Sequence, residues 1–396
     1  MTGGESTPSR PGVMVVVGTR PEAIKLAPVV SALRARSGEL ECRVVFTGQH
    51  TDLVDRAAES LGMVPDHDLD IMRESQSLYD VGNAVMAGLR ELVHRERPSI
   101  LVVQGDTATV FFATLVGFFE KIPVAHVEAG LRTGDRWAPW PEEMFRRLTD
   151  HASELHFAPT RRAMRALEDE GIGPRGVHLT GNTVVDALLA VAAAAGEVAE
   201  STTAALLARR DEGPLALLTA HRRESHGAPL ESIFRAVATL AERHPELRVL
   251  FPVHPNPAVS GPAARILGGH PRVHLVPPLD YADLVQLLSR VDLVLTDSGG
   301  IQEEAPTFGV PVLILREVTE RPEAVEAGVA ERVGTDASTI LEAGERALSG
   351  WRERRLARGG LHPSPFGDGR AGERIADILI HHLTGAPRLT QDWSGT

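Results

Sequence analysis

The stretch that decides the fold covers residues 100–127 and reads ILVVQGDTATVFFATLVGFFEKIPVAHV. Two short apolar runs, Ile100–Val103 and Val124–Val127, enclose the segment Thr107–Glu120, which has the length and pattern of a helix. Strands without alternating polar residues are typical of parallel sheets that are covered on both faces. A strand, a helix and a strand in series therefore predict a right-handed crossover in a doubly wound parallel sheet.

The same rhythm continues on both sides of this stretch. In the first half it predicts strands at Val13–Val17, Arg43–Thr47 and Leu155–Ala158 and a helix at Ala23–Arg36. The second half repeats the pattern, with helices at Pro229–Arg243 and Tyr281–Ser289 and strands at Leu215–Thr219, Val249–Val253, Val273–Val276, Leu293–Thr296 and Val310–Leu315. We therefore expect an α/β protein with two Rossmann-like domains that face each other across a cleft.

The predicted domain borders follow from changes in composition. Residues 1–12 are predicted to be a disordered tail, 13–185 the first domain, 186–370 the second domain and 371–396 a C-terminal helical segment. The Ala-rich segment Val184–Arg210 is predicted to be a linker helix between the domains. The helical tail Gly372–Leu383 could pack on either domain.

Composition excludes several classes of protein. The 396 residues contain 41 Lys and Arg against 53 Asp and Glu, and the net charge of −12 argues against a nucleic-acid-binding protein. Cys42 is the only cysteine, so an intrachain disulfide and a thiolate metal cluster are excluded. No apolar run approaches the ~20 residues of a membrane span, and no zinc motif is present. We expect a soluble, cytoplasmic, acidic protein without a metal or membrane partner.

Charged residues follow the first predicted strand. Ligands of open α/β sheets bind beyond the carboxyl ends of the strands. Pro21 suits the first turn of a helix, and a helix start there would direct its N–H groups at an anion. Arg20 and Lys25 add two cations, although a capped helix with surface charges explains them equally well.

Carboxylates follow the next predicted strands. Asp106 comes shortly after Ile100–Val103, where it suits a ligand cleft or, alternatively, caps the following helix. Glu128 ends the apolar run Val124–Val127, an expensive place for an unpaired carboxylate. Glu142 and Glu143 follow in a proline-rich loop or in the first turn of a helix. Carboxylates from neighbouring loops suit general acid–base chemistry.

The second half carries residues that suit a diphosphate. His221 and Arg222 follow the first strand of this half, and His254 follows the second strand, where it could also be a turn residue. In the later loops, Gly residues allow backbone N–H groups to approach a phosphate, a carboxylate could hold a ribose, and an arginine is a further anion candidate. These later residues are Ser298, Gly299, Gly300, Glu304 and Arg321.

Nine motifs in order closely resemble those of the bacterial non-hydrolysing UDP-N-acetylglucosamine 2-epimerases, which have the GT-B glycosyltransferase-like fold. The resemblance extends from about Val13 to Leu383. The motifs lie at Gly18–Lys25, Gly105–Thr107, Val127–Gly134, Pro141–Glu143, Gly181–Thr183, His221–Ser225, Asp297–Glu304, Thr319–Glu323 and Gly367–Gly369.

The resemblance implies interconversion of UDP-N-acetylglucosamine and UDP-N-acetylmannosamine through loss of UDP, a 2-acetamidoglucal intermediate and re-addition of UDP. It implies no external cofactor and a homodimer. By the same resemblance, the catalytic residues are Asp106, Glu128, Glu142 and His221. The residues implied to contact the substrate are Arg20, Lys25, Ser298, Gly299, Gly300, Glu304 and Arg321.

The resemblance also implies a second, activating nucleotide-sugar site at Gln49, Arg222 and His254. Two positions depart from the family pattern. Asp52 is shorter than the Gln or Glu expected there, and Phe145 replaces an expected Asn, which either reshapes the sugar pocket or packs under the loop. Four other functions stay open: an epimerase of another UDP-2-acetamido sugar, a hydrolysing epimerase, a GT-B glycosyltransferase and a non-catalytic UDP-sugar sensor.

Overall fold

A computed structural model of the chain describes residues 10–48, 61–71, 73, 76–194, 196, 198–358 and 362–395. The described residues form two compact units. Of these described residues, those up to Ala187 and from Phe366 to Gly395 belong to unit 1, and those from Leu188 to Pro365 belong to unit 2. The border after Ala187 lies two residues beyond the expected border after residue 185. The chain returns to unit 1 at Phe366, five residues before the expected C-terminal segment, which begins at residue 371.

Unit 1 is built on a seven-stranded parallel sheet with the order β3-β2-β1-β4-β5-β6-β7. The strands are β1 (Gly12–Val17), β2 (Glu41–Phe46), β3 (His67–Asp68), β4 (Ile100–Gln104), β5 (Val124–Val127), β6 (Leu155–Ala158) and β7 (Val177–Leu179). The helices are α1 (Arg20–Ala35), α2 (Leu78–Glu96), α3 (Ala108–Phe119), α4 (Glu142–Ala152), α5 (Arg161–Asp169), α6 (Thr183–Ala193) and α15 (Ala371–Thr384). Helix α6 runs past the border into unit 2, and α15 comes from the end of the chain.

Both faces of this sheet are covered, as the apolar strands predict. Alternate side chains of β1 point to opposite faces, so Val15 joins the core on one face and Met14 the core on the other. β4 and β5 are buried along their whole length and pair in register, with Leu101 opposite Val124. The predicted β4–α3–β5 crossover is confirmed.

The C-terminal helix α15 packs against α1 within unit 1. Their contact is close at Gly372, because a Cβ atom there would lie 2.8 Å from the backbone of Pro28. Ile375 and Leu379 of α15 join the core formed by α1 and the sheet. The helical tail thus belongs to the first unit, one of the two packings that the sequence allowed.

Unit 2 is built on a six-stranded parallel sheet with the order β10-β9-β8-β11-β12-β13. The strands are β8 (Leu215–Thr219), β9 (Arg248–Pro252), β10 (Val273–Val276), β11 (Leu293–Thr296), β12 (Val312–Ile314) and β13 (Ala330–Arg332). The helices are α7 (Ser201–Ala208), α8 (Ala228–Arg243), α9 (Pro257–Leu267), α10 (Tyr281–Leu288), α11 (Gly299–Glu304), α12 (Pro322–Glu326), α13 (Ala337–Leu348) and α14 (Trp351–Ala357). Short 3-10 helices in the chain lie at Pro174–Gly176, Arg210–Glu212, Arg223–Ser225 and Ala305–Phe308.

The prediction of one linker helix over Val184–Arg210 is wrong. Helix α6 ends at Ala193 and a separate helix, α7, begins at Ser201. The backbone before α7 is held out of a helix because the Asp283 carboxylate accepts hydrogen bonds from the N–H groups of Ala199 and Glu200. The Glu200 side chain then caps the new helix by accepting from the N–H of Thr203.

Within the described part of the chain, no helix combines the length and apolar character that a membrane crossing requires. The same residues contain no group of three or more His, Cys, Asp or Glu side chains placed to hold a metal ion.

Candidate active site

Asp106 lies in the turn that joins β4 to α3. Thr107, and not Asp106, caps the helix, because the Thr107 hydroxyl accepts from the N–H of Val110 at 3.4 Å. The Asp106 carboxylate is instead 3.0 Å from a terminal guanidinium nitrogen of Arg146 on α4. The capping alternative for Asp106 is therefore wrong, and its carboxylate is held by a cation.

Arg146 is a buried residue that the sequence reasoning missed. Its guanidinium also pairs with Glu143, which lies one helical turn earlier on α4. Glu143 is itself buried and accepts from the backbone N–H groups of Thr133 and Gly134. Glu142 lies beside it in the first turn of α4 and is half-buried. The spacing of Glu143 and Arg146, three residues apart on a predicted helix, was the available signal.

Glu128 follows β5 and is buried with three neighbours that stabilise its charge. Its two carboxylate oxygens lie 2.7 and 2.8 Å from Nζ of Lys25 on α1, and the Gln104 side chain donates to it. Asn182 donates at 3.5 Å. The backbone of Glu128 has a φ of +67°, which is unusual for a residue other than glycine. Ion pairing thus offsets the cost of burial that the sequence had indicated.

The buried histidine His126 connects the turn after β4 to helix α4. The ring of His126 lies between the Asp150 carboxylate, 2.6 Å from Nδ1, and the carbonyl oxygen of Gly105, 2.7 Å from Nε2. Arg132 pairs with the other oxygen of Asp150 at 2.8 Å. Burial acts to raise the pKa of Asp150, but His126 and Arg132 outweigh it and hold that pKa below its usual range. The carboxylate is therefore charged at neutral pH.

Phe145 packs against α3. Its ring stacks on Phe111 with 4.9 Å between the ring centroids and meets Phe112 edge-on at 6.2 Å. Of the two interpretations of this unusual residue, the structure favours packing between helices, because the ring has aromatic partners there.

In the loop that follows β8, His221 lies against the buried carboxylate of Asp297. One oxygen of Asp297 accepts from the backbone N–H groups of His221 and Arg222 at 2.7 and 2.8 Å. The other oxygen is 3.6 Å from Nδ1 of His221. Burial lowers the pKa of His221 below its ordinary value, and Asp297 opposes this shift. His221 is therefore neutral at neutral pH and can accept a proton.

His254 lies directly beside His221. The two imidazole rings are stacked, with centroids 5.5 Å apart and planes inclined by 13°. Nδ1 of His254 accepts from the backbone N–H of Asn256 at 3.1 Å, as in a turn. The structure therefore brings a predicted activator residue into contact with a predicted catalytic one.

Two arginines lie close to the backbone at the start of α11, where Gly299 follows the N-cap residue Ser298. A Cβ atom at Gly299 would lie 3.1 Å from Cζ of Arg321 and 3.4 Å from a guanidinium nitrogen of Arg222. Glu303 accepts from Nε of Arg321 at 2.8 Å and so fixes its side chain. A side chain at this position would crowd both cations, whereas glycine leaves them room beside the backbone, and the result is a positively charged turn suited to phosphate oxygens.

The remaining predicted substrate contacts lie around this turn and on α1. Glu304 is buried on α11, and the Tyr281 hydroxyl donates to it at 3.3 Å. Gly300 is the second residue of α11, with open space around its Cα atom. Arg20 is the first residue of α1 in unit 1. Gln49 and Asp52, from the predicted activator site, lie outside the described residues.

Comparison with known proteins shows which family has this sequence and fold. A family model described as UDP-N-acetylglucosamine 2-epimerase matches residues 31–380. The chain belongs to this family. The UDP-N-acetylglucosamine 2-epimerase of Yersinia pestis is 44% identical over 375 residues, which cover 93% of this chain and 98% of the relative. The resemblance predicted from the nine motifs is confirmed.

Solved structures agree with this assignment to the 2-epimerase family. A UDP-GlcNAc 2-epimerase from Neisseria meningitidis, bound to UDP-GlcNAc, is 38% identical, with a TM-score of 0.85 over 93% of this chain and 99% of that one. A glycosyltransferase of kitacinnamycin, only 16% identical, still reaches a TM-score of 0.57 over 95% of this chain and 100% of that chain. That likeness concerns the fold alone, and it confirms the predicted GT-B-like fold class.

Proposed function

We propose that this protein interconverts UDP-N-acetylglucosamine and UDP-N-acetylmannosamine without hydrolysis. Two ion pairs that follow adjacent strands carry the proposal. Asp106 and Glu128 follow β4 and β5, which pair directly, and each carboxylate is held by a cation, Arg146 or Lys25. Carboxylates fixed in this way are suited to proton transfer at a carbon atom.

The chemistry requires a base and a stabilised leaving group together. A base removes the proton from C2 of the sugar while the bond between C1 and the UDP oxygen breaks, which gives a 2-acetamidoglucal and UDP. A proton then returns to the opposite face of C2, and the UDP oxygen attacks C1. The C2 proton is weakly acidic, so the base and the departing diphosphate must share the barrier. The overall reaction is redox-neutral and needs no external cofactor.

We assign the proton-transfer groups to unit 1. Asp106, Glu128 and Glu142 supply the base and the acid. Arg146 fixes Asp106, and Lys25 fixes Glu128, so that neither carboxylate needs to reorganise during the reaction.

We assign the diphosphate to unit 2. Arg222 and Arg321 lie against Gly299, and guanidinium groups match phosphate oxygens in a bidentate geometry. We assign to His221, whose pKa is lowered by burial, the transfer of a proton near the diphosphate. The other contacts proposed in unit 2 are Ser298 and Gly300 for the diphosphate and Glu304 for the ribose. Arg20 of unit 1 is a further proposed substrate contact.

Proton exchange at C2 tests this function. The protein is incubated with UDP-N-acetylglucosamine in heavy water, and the sugar is followed by NMR. We expect deuterium at C2 and a UDP-N-acetylmannosamine product. Free N-acetylmannosamine with UDP would identify a hydrolysing epimerase. Unchanged substrate would contradict the proposal and leave another UDP-2-acetamido sugar, a glycosyltransferase or a UDP-sugar sensor.

We also propose a homodimer formed through helices of unit 1. Phe118 and Phe119 at the end of α3 are 62% and 65% exposed, and Leu148 on the adjacent α4 is 44% exposed. Exposed apolar side chains of this size are typical of association surfaces. Light scattering after size exclusion should give twice the chain mass, and a Phe118→Glu/Phe119→Glu variant should give the chain mass. A single-chain mass for the wild type would contradict the dimer.

We place the reaction in the cytoplasm, because UDP-sugars are supplied there. Fractionation of cells that produce the protein should recover the epimerase activity with the cytoplasmic enzymes. Recovery in the membrane or secreted fraction would contradict this assignment.

A further inference from the structure

Glu22 is a fully buried carboxylate in the first turn of α1 that the proposed reaction does not use. Its Oε2 accepts from the backbone N–H of Gly18 at 2.6 Å. Its Oε1 accepts from the hydroxyls of Thr19 at 2.9 Å and Thr107 at 2.8 Å. One side chain therefore joins the turn after β1 to the turn after β4.

The turn after β4 is the one that carries Asp106. Thr107 both donates to Glu22 and caps α3 through Val110, so its position sets where α3 begins. Asp106 directly precedes Thr107, and its other restraint is the ion pair with Arg146. A shift of Thr107 would therefore move the Asp106 carboxylate relative to its guanidinium partner.

We propose that Glu22 is a positioning residue for the reaction, and that its three hydrogen bonds align Asp106 through Thr107. Glu22 acts through its neighbour and does not itself transfer a proton to the sugar. The inference rests on the proposed epimerase function, since it assigns Asp106 a role in that reaction.

The charge state of Glu22 decides how many of these bonds form. An ionised carboxylate accepts all three hydrogen bonds, whereas a protonated one must donate to a threonine hydroxyl and leaves one hydroxyl proton without this acceptor. Burial raises the pKa of Glu22 to about 7, and the bonds from Gly18, Thr107 and Thr19 limit the rise. The alignment of Asp106 should therefore weaken as pH falls through neutrality.

The charged groups around α1 are paired in ways that do not involve Glu22. They lie on or beside α1, β2, β4, β5, α4 and α15 of unit 1. The pairs are Lys25–Glu128, Asp106–Arg146, His126–Asp150, Arg36–Asp377, Arg43–Glu41 and Arg374–Asp368. Arg20 lies two residues before Glu22 at the start of α1.

Two variants and a control test the role. Glu22→Gln keeps the shape but cannot ionise, so it reproduces the protonated state at every pH. Glu22→Ala removes both acceptors. Glu39→Gln is the control, because Glu39 follows the end of α1 and pairs only at the surface with Arg36.

The first measurement is kcat/KM for epimerisation as a function of pH. We expect the ratio of wild type to Glu22→Gln to rise roughly 3- to 10-fold between about pH 6 and pH 8, mainly in kcat, which is the net value of one typical hydrogen bond. Other titrating groups, including His221, are common to both proteins and cancel in the ratio. The ratio of wild type to Glu39→Gln should stay flat. A flat ratio for Glu22→Gln would overturn the proposal.

The second measurement does not depend on activity. Amide hydrogen exchange at residues 17–20 and 107–111 should be about 10-fold faster in Glu22→Ala than in Glu39→Gln, because the first removes the link between the two turns. Equal exchange would overturn the proposed link even if the protein is an epimerase. A wild type without turnover would refute the proposed function, and the exchange measurement would still decide whether Glu22 holds Thr107.

Discussion

The carboxylate of Asp106 and the guanidinium of Arg146 lie 3.0 Å apart, although 40 residues separate them in the chain. Arg146 is buried and is fixed from its other side by Glu143. Helix α4 thus holds the guanidinium of Arg146 in a fixed position beside the turn after β4. This ion pair restrains the side chain to which we assign proton transfer at C2.

Replacing Arg146 with lysine should lower turnover. Lysine keeps the charge but cannot contact Asp106 and Glu143 at once with a planar group. We expect kcat for epimerisation to fall by roughly 10- to 100-fold, because misplaced catalytic groups lose most of the benefit of orientation. Steady-state kinetics would measure the loss.

Arg147→Lys is the matched control for this change. Arg147 neighbours Arg146 on α4 but pairs at the surface with Glu170. Its kcat should stay close to that of the wild type. Equal rates for Arg146→Lys and Arg147→Lys would show that the contact with Asp106 has no catalytic value.

Removing the cation at Glu128 should destabilise unit 1. Lys25→Met leaves a buried carboxylate without its ion-pair partner, and the loss of one partner of a buried pair costs about 3–5 kcal/mol. Urea unfolding should show this decrease, and Glu128→Gln in the same chain should restore part of it. Arg34 lies on the same helix as Lys25 and forms an exposed pair with Asp66, so Arg34→Met should cost less than about 1 kcal/mol. Similar losses for the two single variants would contradict the assigned burial.

The turn at Gly299 should tolerate no side chain if it holds the diphosphate. In Gly299→Ala the new methyl group would press on the guanidinium of Arg321, 3.1 Å away, and on that of Arg222. We expect calorimetry to show UDP binding weakened by about 10-fold, the value of one displaced charge-assisted contact. Gly261→Ala, in open space on α9, is the control and should bind UDP normally. Unchanged affinity in Gly299→Ala would remove the two arginines from the binding site.

Glu22 should also leave a signature in the pH dependence of stability. Its pKa rises from an ordinary value of 4.5 to about 7 in the folded protein, so the folded state binds more protons between these values. The contribution of Glu22 is complete below about pH 4.5 and is lost as pH rises through about 7. The unfolding free energy of the wild type should therefore fall relative to that of Glu22→Gln by roughly 2–3 kcal/mol between about pH 5 and pH 8. A difference that is constant or that rises with pH would contradict the burial of this charge.

Much of the fold was predictable because buried parallel strands are continuous apolar runs. Val124–Val127 and Leu293–Thr296 have the predicted bounds, since each is a short, mainly apolar run that ends at a turn. The two-residue strand His67–Asp68 and the partly exposed Ala330–Arg332 could not be predicted in this way. They lie at sheet edges, where pairing with one neighbour and not an apolar pattern defines the strand.

The site was predictable by residue type but not by partner. Asp106 stands out as a carboxylate shortly after a predicted strand, and Glu128 stands out because an unpaired carboxylate at the end of an apolar strand is costly. The cation that pairs with Asp106 comes from α4, 40 residues away, and the cation that pairs with Glu128 comes from α1, 103 residues away. No local sequence pattern encodes such contacts. Glu22 shows the same limit, since its sequence position indicates only an acidic first turn of a helix.

The comparison of the wild type with Asp106→Asn in heavy water tests the central claim most directly. The amide keeps the shape and a hydrogen-bonding oxygen for Arg146 but cannot take a proton from carbon. The account predicts that calorimetry finds UDP binding within about 2-fold of the wild type, while NMR finds deuterium incorporation at C2 of UDP-N-acetylglucosamine reduced by at least about 100-fold. Incorporation of deuterium at a near-wild-type rate would contradict the account, because Asp106 would then have no part in proton transfer.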